Sequence, residues 1–346
     1  MKWPLVNLPD ICRPRQWPTI QKTEMLASGF VVYGANGPIG YYSAYNHEEP
    51  TVLITCRGAT CGSINVSSPK SYVTGNAMAL DDLNESRIDL NYLVLALRNA
   101  DFSSVITGDA QPQITGQSLA RFQIPLPPLA EQKRIAGILD AADALRAKRR
   151  ESLAQLDALL QSTFLTLFGD PVSNPMGWPT SSFENCIQDR TSSAIKIPKS
   201  DFQPEGQWQI IDQSQNEIAG YSNIGPPFKE SLPAVVFGDH TRCVKLVREP
   251  FLFGADGAKL LIPYSQMLAV FLSHLLPLLK LPDLGYSRHM REVKRLVYIL
   301  PPLALQQRFA AVVESVERQK SAQRAHLAEL DALFAALQHR AFRGEL

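Results

Sequence analysis

Two stretches of the chain carry apolar residues at intervals of three and four. Ile135, Ile138, Ala142, Leu145, Arg149, Leu153, Leu156, Leu160 and Phe164 share one stripe. Phe309, Val312, Val316, Gln323, Leu327, Leu330, Phe334 and Leu337 share another. That period belongs to the α-helix. The intervening residues are Ala, Gln, Lys, Arg and Glu, and the only prolines are the pairs that open each stretch, Pro127-Pro128 and Pro301-Pro302, where a missing amide is harmless. Each helix is ~58 Å long at 1.5 Å per residue, too long to be covered by a domain of this size. The cheapest partner for each stripe is therefore the other helix, in the manner of a coiled coil, with separate packing of each helix on its own domain as the alternative.

Elsewhere the pattern is one of short apolar runs between turn residues. Gly29 to Tyr33, Thr51 to Thr55 and Ala234 to Phe237 predict strands, Asn91 to Asn99 predicts a short helix, and Gly, Asn, Pro and Ser fill the gaps. These segments read as mixed α/β units.

The chain repeats itself. Leu126-Pro127-Pro128-Leu129-Ala130 recurs as Leu300-Pro301-Pro302-Leu303-Ala304, and the register holds through Gln132 and Gln306, Arg134 and Arg308, Asp157 and Asp331, and Phe168 and Phe342. Trp3-Pro4 matches Trp178-Pro179, and Val52-Leu53-Ile54 resembles Val235-Val236-Phe237. The order predicted is a globular unit over 1–125, a long helix over 126–168, a second globular unit over 169–299 and a second long helix over 300–346. Antiparallel pairing of the helices would relate the halves by a pseudo-two-fold axis. The predicted pairing residues are Ile135, Ile138, Leu145, Leu153, Leu156 and Leu160 against Phe309, Val312, Val316, Leu327, Leu330 and Phe334.

Composition narrows the class. With 346 residues, 45% apolar and 19% charged, the chain has material for two cores, and disorder and collagen are excluded. The longest apolar tract, Phe271 to Leu281, is broken by His274, Pro277 and Lys280 and falls short of the ~20 residues a membrane span needs. No secretory signal is visible at the start, and five scattered cysteines lack paired zinc spacing, so a reducing, cytoplasmic location with no metal and no cofactor is expected. A net charge of +1 implies no broad polyanion-binding coat, so any such binding must come from local patches.

No catalytic motif is present. Gly34-Ala35-Asn36-Gly37-Pro38-Ile39-Gly40 fits a β-loop better than a dinucleotide elbow, and there is no phosphate-binding loop. Asp283, Glu292 and Lys294 loosely match the spacing of magnesium-dependent nucleases, with a solvated charged helix as the plainer reading. Binding features recur in both halves. One cluster follows the central strand, with Arg57 and Lys70 in the first half and His240, Arg242 and Lys245 in the second. Another precedes Leu-Pro-Pro, with Gln111, Gln113 and Thr115 in the first and Tyr286, Ser287, Arg288, His289 and Arg291 in the second. Arg and Gln can make bidentate contacts to guanine and adenine edges, while Lys, Ser and Thr hold phosphates.

On these residues the chain resembles the specificity subunits of type I restriction-modification enzymes. The resemblance rests on Leu126-Pro127-Pro128-Leu129-Ala130-Glu131-Gln132 leading into a helix that ends near Phe168-Gly169-Asp170, and on the second copy ending at Phe342-Arg343-Gly344-Glu345-Leu346. It implies an α+β fold in which two mixed α/β target-recognition domains are separated by two long helices paired as an antiparallel coiled coil. It implies a noncatalytic subunit whose domains each read one half of a bipartite site in double-stranded DNA. The helices would set the spacing and dock two methyltransferase subunits, and a motor-nuclease subunit would join that complex. Two other readings stay open: a protein-only assembly scaffold, and a nuclease built on Asp283, Glu292 and Lys294.

Overall fold

The computed structural model describes residues 3–108, 111–254, 257–282, 284–285 and 287–346. The chain divides into two units, Met1–Arg149 with His326–Leu346, and Arg150–Ala325, so each unit holds part of both long helices.

In the first unit the strands β1 (Leu5–Asn7), β2 (Arg13–Arg15), β3 (Phe30–Gly34), β4 (Gly37–Tyr42), β5 (Val52–Thr55), β6 (Ile64–Val66), β7 (Tyr72–Val73) and β8 (Ala77–Asp81) come first. They are followed by α1 (Leu90–Asn99), the one-turn α2 (Gly116–Leu119), β9 (Gln123–Pro125) and the start of α3 (Leu129–Phe168). An antiparallel sheet runs β2-β8-β5-β6, and a second runs β4-β3-β7 with β3 and β7 parallel. The unbroken apolar run of β5 follows from its position, because both of its faces are covered. Val52 and Ile54 pack with Tyr92, Leu93 and Leu97 of α1, and Leu53, one residue out of phase, packs with Tyr33, Val73 and Ala79 on the other side.

The second unit repeats this plan. After β10 (Thr180–Ser182), α4 (Phe183–Cys186), β11 (Ile187–Asp189), β12 (Lys196–Ile197), β13 (Trp208–Ile211) and β14 (Gly220–Ser222) come β15 (Ala234–Gly238), β16 (Val244–Val247), β17 (Phe251–Gly254) and β18 (Ala258–Pro263). Then follow α5 (Ala269–Leu275), α6 (Met290–Val293), β19 (Val297–Ile299) and α7 (Leu303–Arg343). The sheets are β11-β18-β15-β16 and β12-β17-β13-β14, so the first matches its counterpart strand for strand and the second gains β12. Val235 and Phe237 face α5, and Val236 faces Phe251 and Phe253.

Each long helix is fastened at its start by a buried glutamine. Gln132 donates from Nε2 to the carbonyls of Arg87 (2.7 Å) and Pro127 (2.8 Å), and its Oε1 accepts from the amide of Asp89, the residue that caps α1. Gln306 donates to Gln266 (3.1 Å) and Pro301 (2.8 Å) and accepts from Leu268, which stands at the same place before α5. The helix ends are held by the tryptophans of the repeat: Trp3 donates its indole N–H to the Ala341 carbonyl at 2.8 Å, and Trp178 to that of Phe168 at 2.9 Å.

Within each unit the two helices run antiparallel. In the first, Arg134 reaches the Leu346 carbonyl and Arg146 reaches Asp331. In the second, Lys320 reaches Asp157, and Phe309 packs against Phe164 and Phe168. The predicted stripe needs two corrections. Leu145 points outward at 53% exposure and Arg146 lies in the seam, with its guanidinium 4.3 Å from the Phe334 ring. Val313 is buried and Val312 only half-buried. Both follow from the 3.6-residue turn, which drifts from a 3.5 repeat, and from the apolar stem of arginine, which covers a ring while its head stays paired. Ile138, Leu153, Leu156, Leu327, Leu330 and Phe334 are half-buried, and Ile135, Leu160, Phe309 and Val316 are buried. Ile135 and Leu139 also pack into the core of the first globular part, so the helices serve both partners considered from sequence.

Candidate nucleic-acid interface

In the first unit the chain leaves β5 through a turn that lies against the segment before α2. Ile114 donates its amide to the Cys56 carbonyl (3.0 Å), Gly58 donates to the Pro112 carbonyl (3.1 Å), and Arg57 and Gln113 are antiparallel bridge partners. Two clusters far apart in sequence are thus one edge, with Arg57, Gln111 and Gln113 all exposed. The tip of the β3–β4 hairpin is strapped onto the same turn, since Asn36 Oδ1 accepts from the Thr60 hydroxyl at 2.6 Å and Thr55 donates to the Ala35 carbonyl. Asn36 and Thr60 are exposed members of this edge that sequence reasoning missed. The signal in the sequence is the Gly34-Ala35-Asn36-Gly37 turn, a β-loop whose polar tip residue is Asn36.

The second unit builds the equivalent edge from other residues. Gln213, beyond β13, accepts from the His240 amide through Oε1 (3.2 Å) and from the Thr241 hydroxyl through its carbonyl (2.6 Å). Arg242 is exposed at a φ of 60°, a left-handed conformation held by the hydrogen bond its main-chain N–H donates to the Gly238 carbonyl. The turn meets the segment before α6 through Asp239, whose carbonyl accepts the His289 amide (2.8 Å). Ser287, Arg288 and Arg291 are exposed beside it in sequence, and His240 is half-buried. Tyr286 lies outside the described residues.

Four predicted contacts take other roles. His289 is fully buried, its Nδ1 donating to the Asp239 carbonyl at 3.0 Å, so it supports the edge from behind and cannot touch a ligand. Lys245 is largely buried and donates to the Asn216 carbonyl at 2.5 Å, with Asp212 3.6 Å away. Thr115 spends its hydroxyl capping α2 through the Ser118 amide. Lys70 is exposed in the β6–β7 loop and pairs with Glu48 at 3.5 Å.

Asp239 is the centre of the second edge. Only 2% exposed, it accepts the Met290 amide at 2.6 Å, faces Lys259 Nζ at 3.7 Å and donates its own amide to Gly257. Burial raises the pKa of Asp189, on β11 of the same sheet, but hydrogen bonds from Thr191 and the charges of Lys294 and Lys259 outweigh it and hold its carboxyl below the usual range. These pairings also bear on the nuclease pattern. Lys294 is engaged by Asp189 (3.6 Å) and Glu292 by Arg295 (3.0 Å), Asp283 lies outside the described residues, and among the described residues no group of three His, Cys, Asp or Glu could hold a metal ion. No helix among the described residues is long and apolar enough to cross a membrane. What the edges offer is hydrogen-bond donors and amides on a rigid backbone, suited to reading a polar, anionic surface.

Residues 1–156 match the family of the type I restriction modification DNA specificity domain. The chain is 28% identical over 153 residues to a putative type I restriction enzyme specificity subunit of Haemophilus influenzae, an alignment covering 43% of this chain and 39% of that protein. It is also 28% identical over 113 residues to the EcoprrI specificity subunit of Escherichia coli, covering 33% of this chain and 28% of that one. The matches thus span about two fifths or less of the length of these relatives. In fold, the chain is similar to the S subunit of a type I restriction-modification system from M. genitalium, with a TM-score of 0.67 and 16% identity over 99% of this chain and 96% of that one. A chain from a structure of type I R-M complex assembly and conformational transition gives a TM-score of 0.55 at 18% identity, over 100% and 98%.

Proposed function

We propose that this chain is the DNA-recognition subunit of a type I restriction-modification complex, and that each unit reads one half of a bipartite site in double-stranded DNA. The observation that carries this is the recurrence of one arrangement with different residues: an exposed Arg-rich or Gln-rich edge, strapped by a hairpin amide, once in each unit. Different residues on the same scaffold mean that the two half-sites differ in sequence. Arg57 and Gln113 in the first unit, and Arg242, Arg288 and Arg291 in the second, are the proposed base and phosphate contacts.

The chain contributes no reaction of its own. Methylation and cleavage belong to partners, two methyltransferase subunits docked along the long helices and a motor-nuclease subunit joined through them, in the cytoplasm. The helices set the gap between half-sites. The test is to express the chain with its methyltransferase subunit and map methylated bases across a genome. The expected result is a two-part motif with a fixed unread gap, and a single continuous motif would overturn the proposal. DNA binding by the complex should weaken steeply with salt, as counterion release requires.

A further inference from the structure

Cys56 and Asp239 occupy the same node in the two units. Each follows the central strand, each donates its amide to the turn before the strand paired beside it (Cys56 to Asn76 before β8, Asp239 to Gly257 before β18), and each accepts through its carbonyl the amide that precedes α2 or α6. Both side chains are buried, and both lock the node, but by different chemistry. The Cys56 thiol lies 3.2 Å from the Asn76 carbonyl and accepts from Gln16 Nε2 at 3.1 Å. The Asp239 carboxylate takes the Met290 amide and faces Lys259. The neighbouring residues in each case are the exposed ones: Arg57 and Gln113 in one unit, Arg242 and Arg288 in the other. A buried group tied to three segments holds those segments in one arrangement, and a contact read to within a hydrogen bond's tolerance depends on that.

We propose that Cys56 and Asp239 are positioning residues for sequence selectivity, each confined to the half-site read by its own unit. The proposal rests on the recognition reading above. Neither side chain touches DNA. The Asp239 carboxylate ties its turn directly to the start of α6, and the Cys56 thiol fixes its turn against Gln16 and the Asn76 carbonyl, so that the main-chain carbonyl of Cys56 stays aligned on the segment before α2; in each unit the two segments then contribute contacts to the same few base pairs.

The test uses the full chain with its methyltransferase partner and genome-wide methylation mapping. Asp239→Ala should relax discrimination about tenfold in one half of the motif and leave the other half as in wild type, and Cys56→Ala should do the reverse. Asp239→Asn, which keeps an acceptor for the Met290 amide, and Cys56→Ser, which keeps a small donor, should restore most of the selectivity. Loss of methylation with both halves equally selective, as a merely structural role would give, overturns the proposal. Should an alanine variant fail to fold, Lys259→Met removes the charge facing Asp239 and is expected to relax the second half alone; an unchanged motif overturns the proposal. A wild-type chain that directs no two-part methylation would overturn the recognition reading and this proposal with it, whereas a two-part wild-type motif whose halves relax together overturns this proposal alone.

Discussion

Arg146 of α3 meets Asp331 of α7 at 2.6 Å, and the same ion pair recurs one repeat later with the helices exchanged, as Lys320 of α7 and Asp157 of α3 at 2.8 Å. The intrahelical acid is repeated too, Asp143 beside Arg146 and Glu317 beside Lys320. Each cation sits in a seam otherwise lined by apolar side chains, where a lone charge would be costly and a paired one is close to neutral.

Lys320, only 8% exposed, is the more buried of the two cations. Lys320→Ala is expected to destabilise the second unit by about 1–2 kcal/mol in urea denaturation, whereas Lys320→Met combined with Asp157→Leu should fall within about 1 kcal/mol of wild type. Burial opposes the charge on Lys320, but hydrogen bonds to Asp157 and Glu317 outweigh it and raise its pKa. A raised folded-state pKa means the contribution is whole below the unfolded lysine value of about 10.4 and is lost as pH rises through the folded value. The gap between wild type and Lys320→Met should therefore close in alkaline solution.

The last residues of the chain belong to the first unit. Ala341, Phe342 and Leu337 pack into the core with Ile135 and Leu139, and Trp3 bonds the Ala341 carbonyl. Removing residues 326–346 is expected to unfold the first unit and spare the second, read by hydrogen exchange as lost protection in β5 and α1 with retained protection in β15 and α5. Trp3→Phe should cost about 1 kcal/mol, the worth of one hydrogen bond.

Gln132→Ala and Gln306→Ala each strip three hydrogen bonds from a buried site and leave main-chain groups unpaired. Each should cost about 2–4 kcal/mol. Because the two share no partner, the double variant should show nearly the sum.

Burial pushes the Cys12 thiol up to about 12, with the Asp81 charge adding to it, and pushes Cys186 up to about 11. Cys56 is raised by burial as well. Iodoacetamide at pH 8 should leave these three unmodified in the folded chain, with slow labelling confined to the half-exposed Cys61 and Cys243. Rapid native labelling of Cys12 or Cys186, detected by mass spectrometry, would contradict this packing.

The long helices and the duplication were legible because both are properties of spacing. Residues three and four apart share a helix face whatever the fold does, and a register kept from Leu126 to Phe168 cannot be hidden by packing. The strands at Val52 and Val235 were legible for a related reason, since a run buried on both faces must be apolar throughout. Which polar residues belong to the exposed edges was not legible. Lys245, His289 and Thr115 look like DNA contacts by residue type, and only their burial or their hydrogen bonds to Asn216, Asp239 and Ser118 remove them. Leu145 and Arg146 exchanged places because composition alone does not reveal that an arginine stem can lie on Phe334.

The sequence by itself determined the repeat, the helices and the kind of fold, because local spacing and hydrophobicity suffice to specify them. Tertiary structure decided what lies beside what. It put Arg57 next to Gln113, brought Asn36 to Thr60 and Gln213 to Thr241, made Cys56 and Asp239 equivalent, and gave the C-terminal residues to the N-terminal unit. Contacts of that kind join segments far apart along the chain, and their geometry is set by how sheets and helices close on a shared core, which no local pattern encodes.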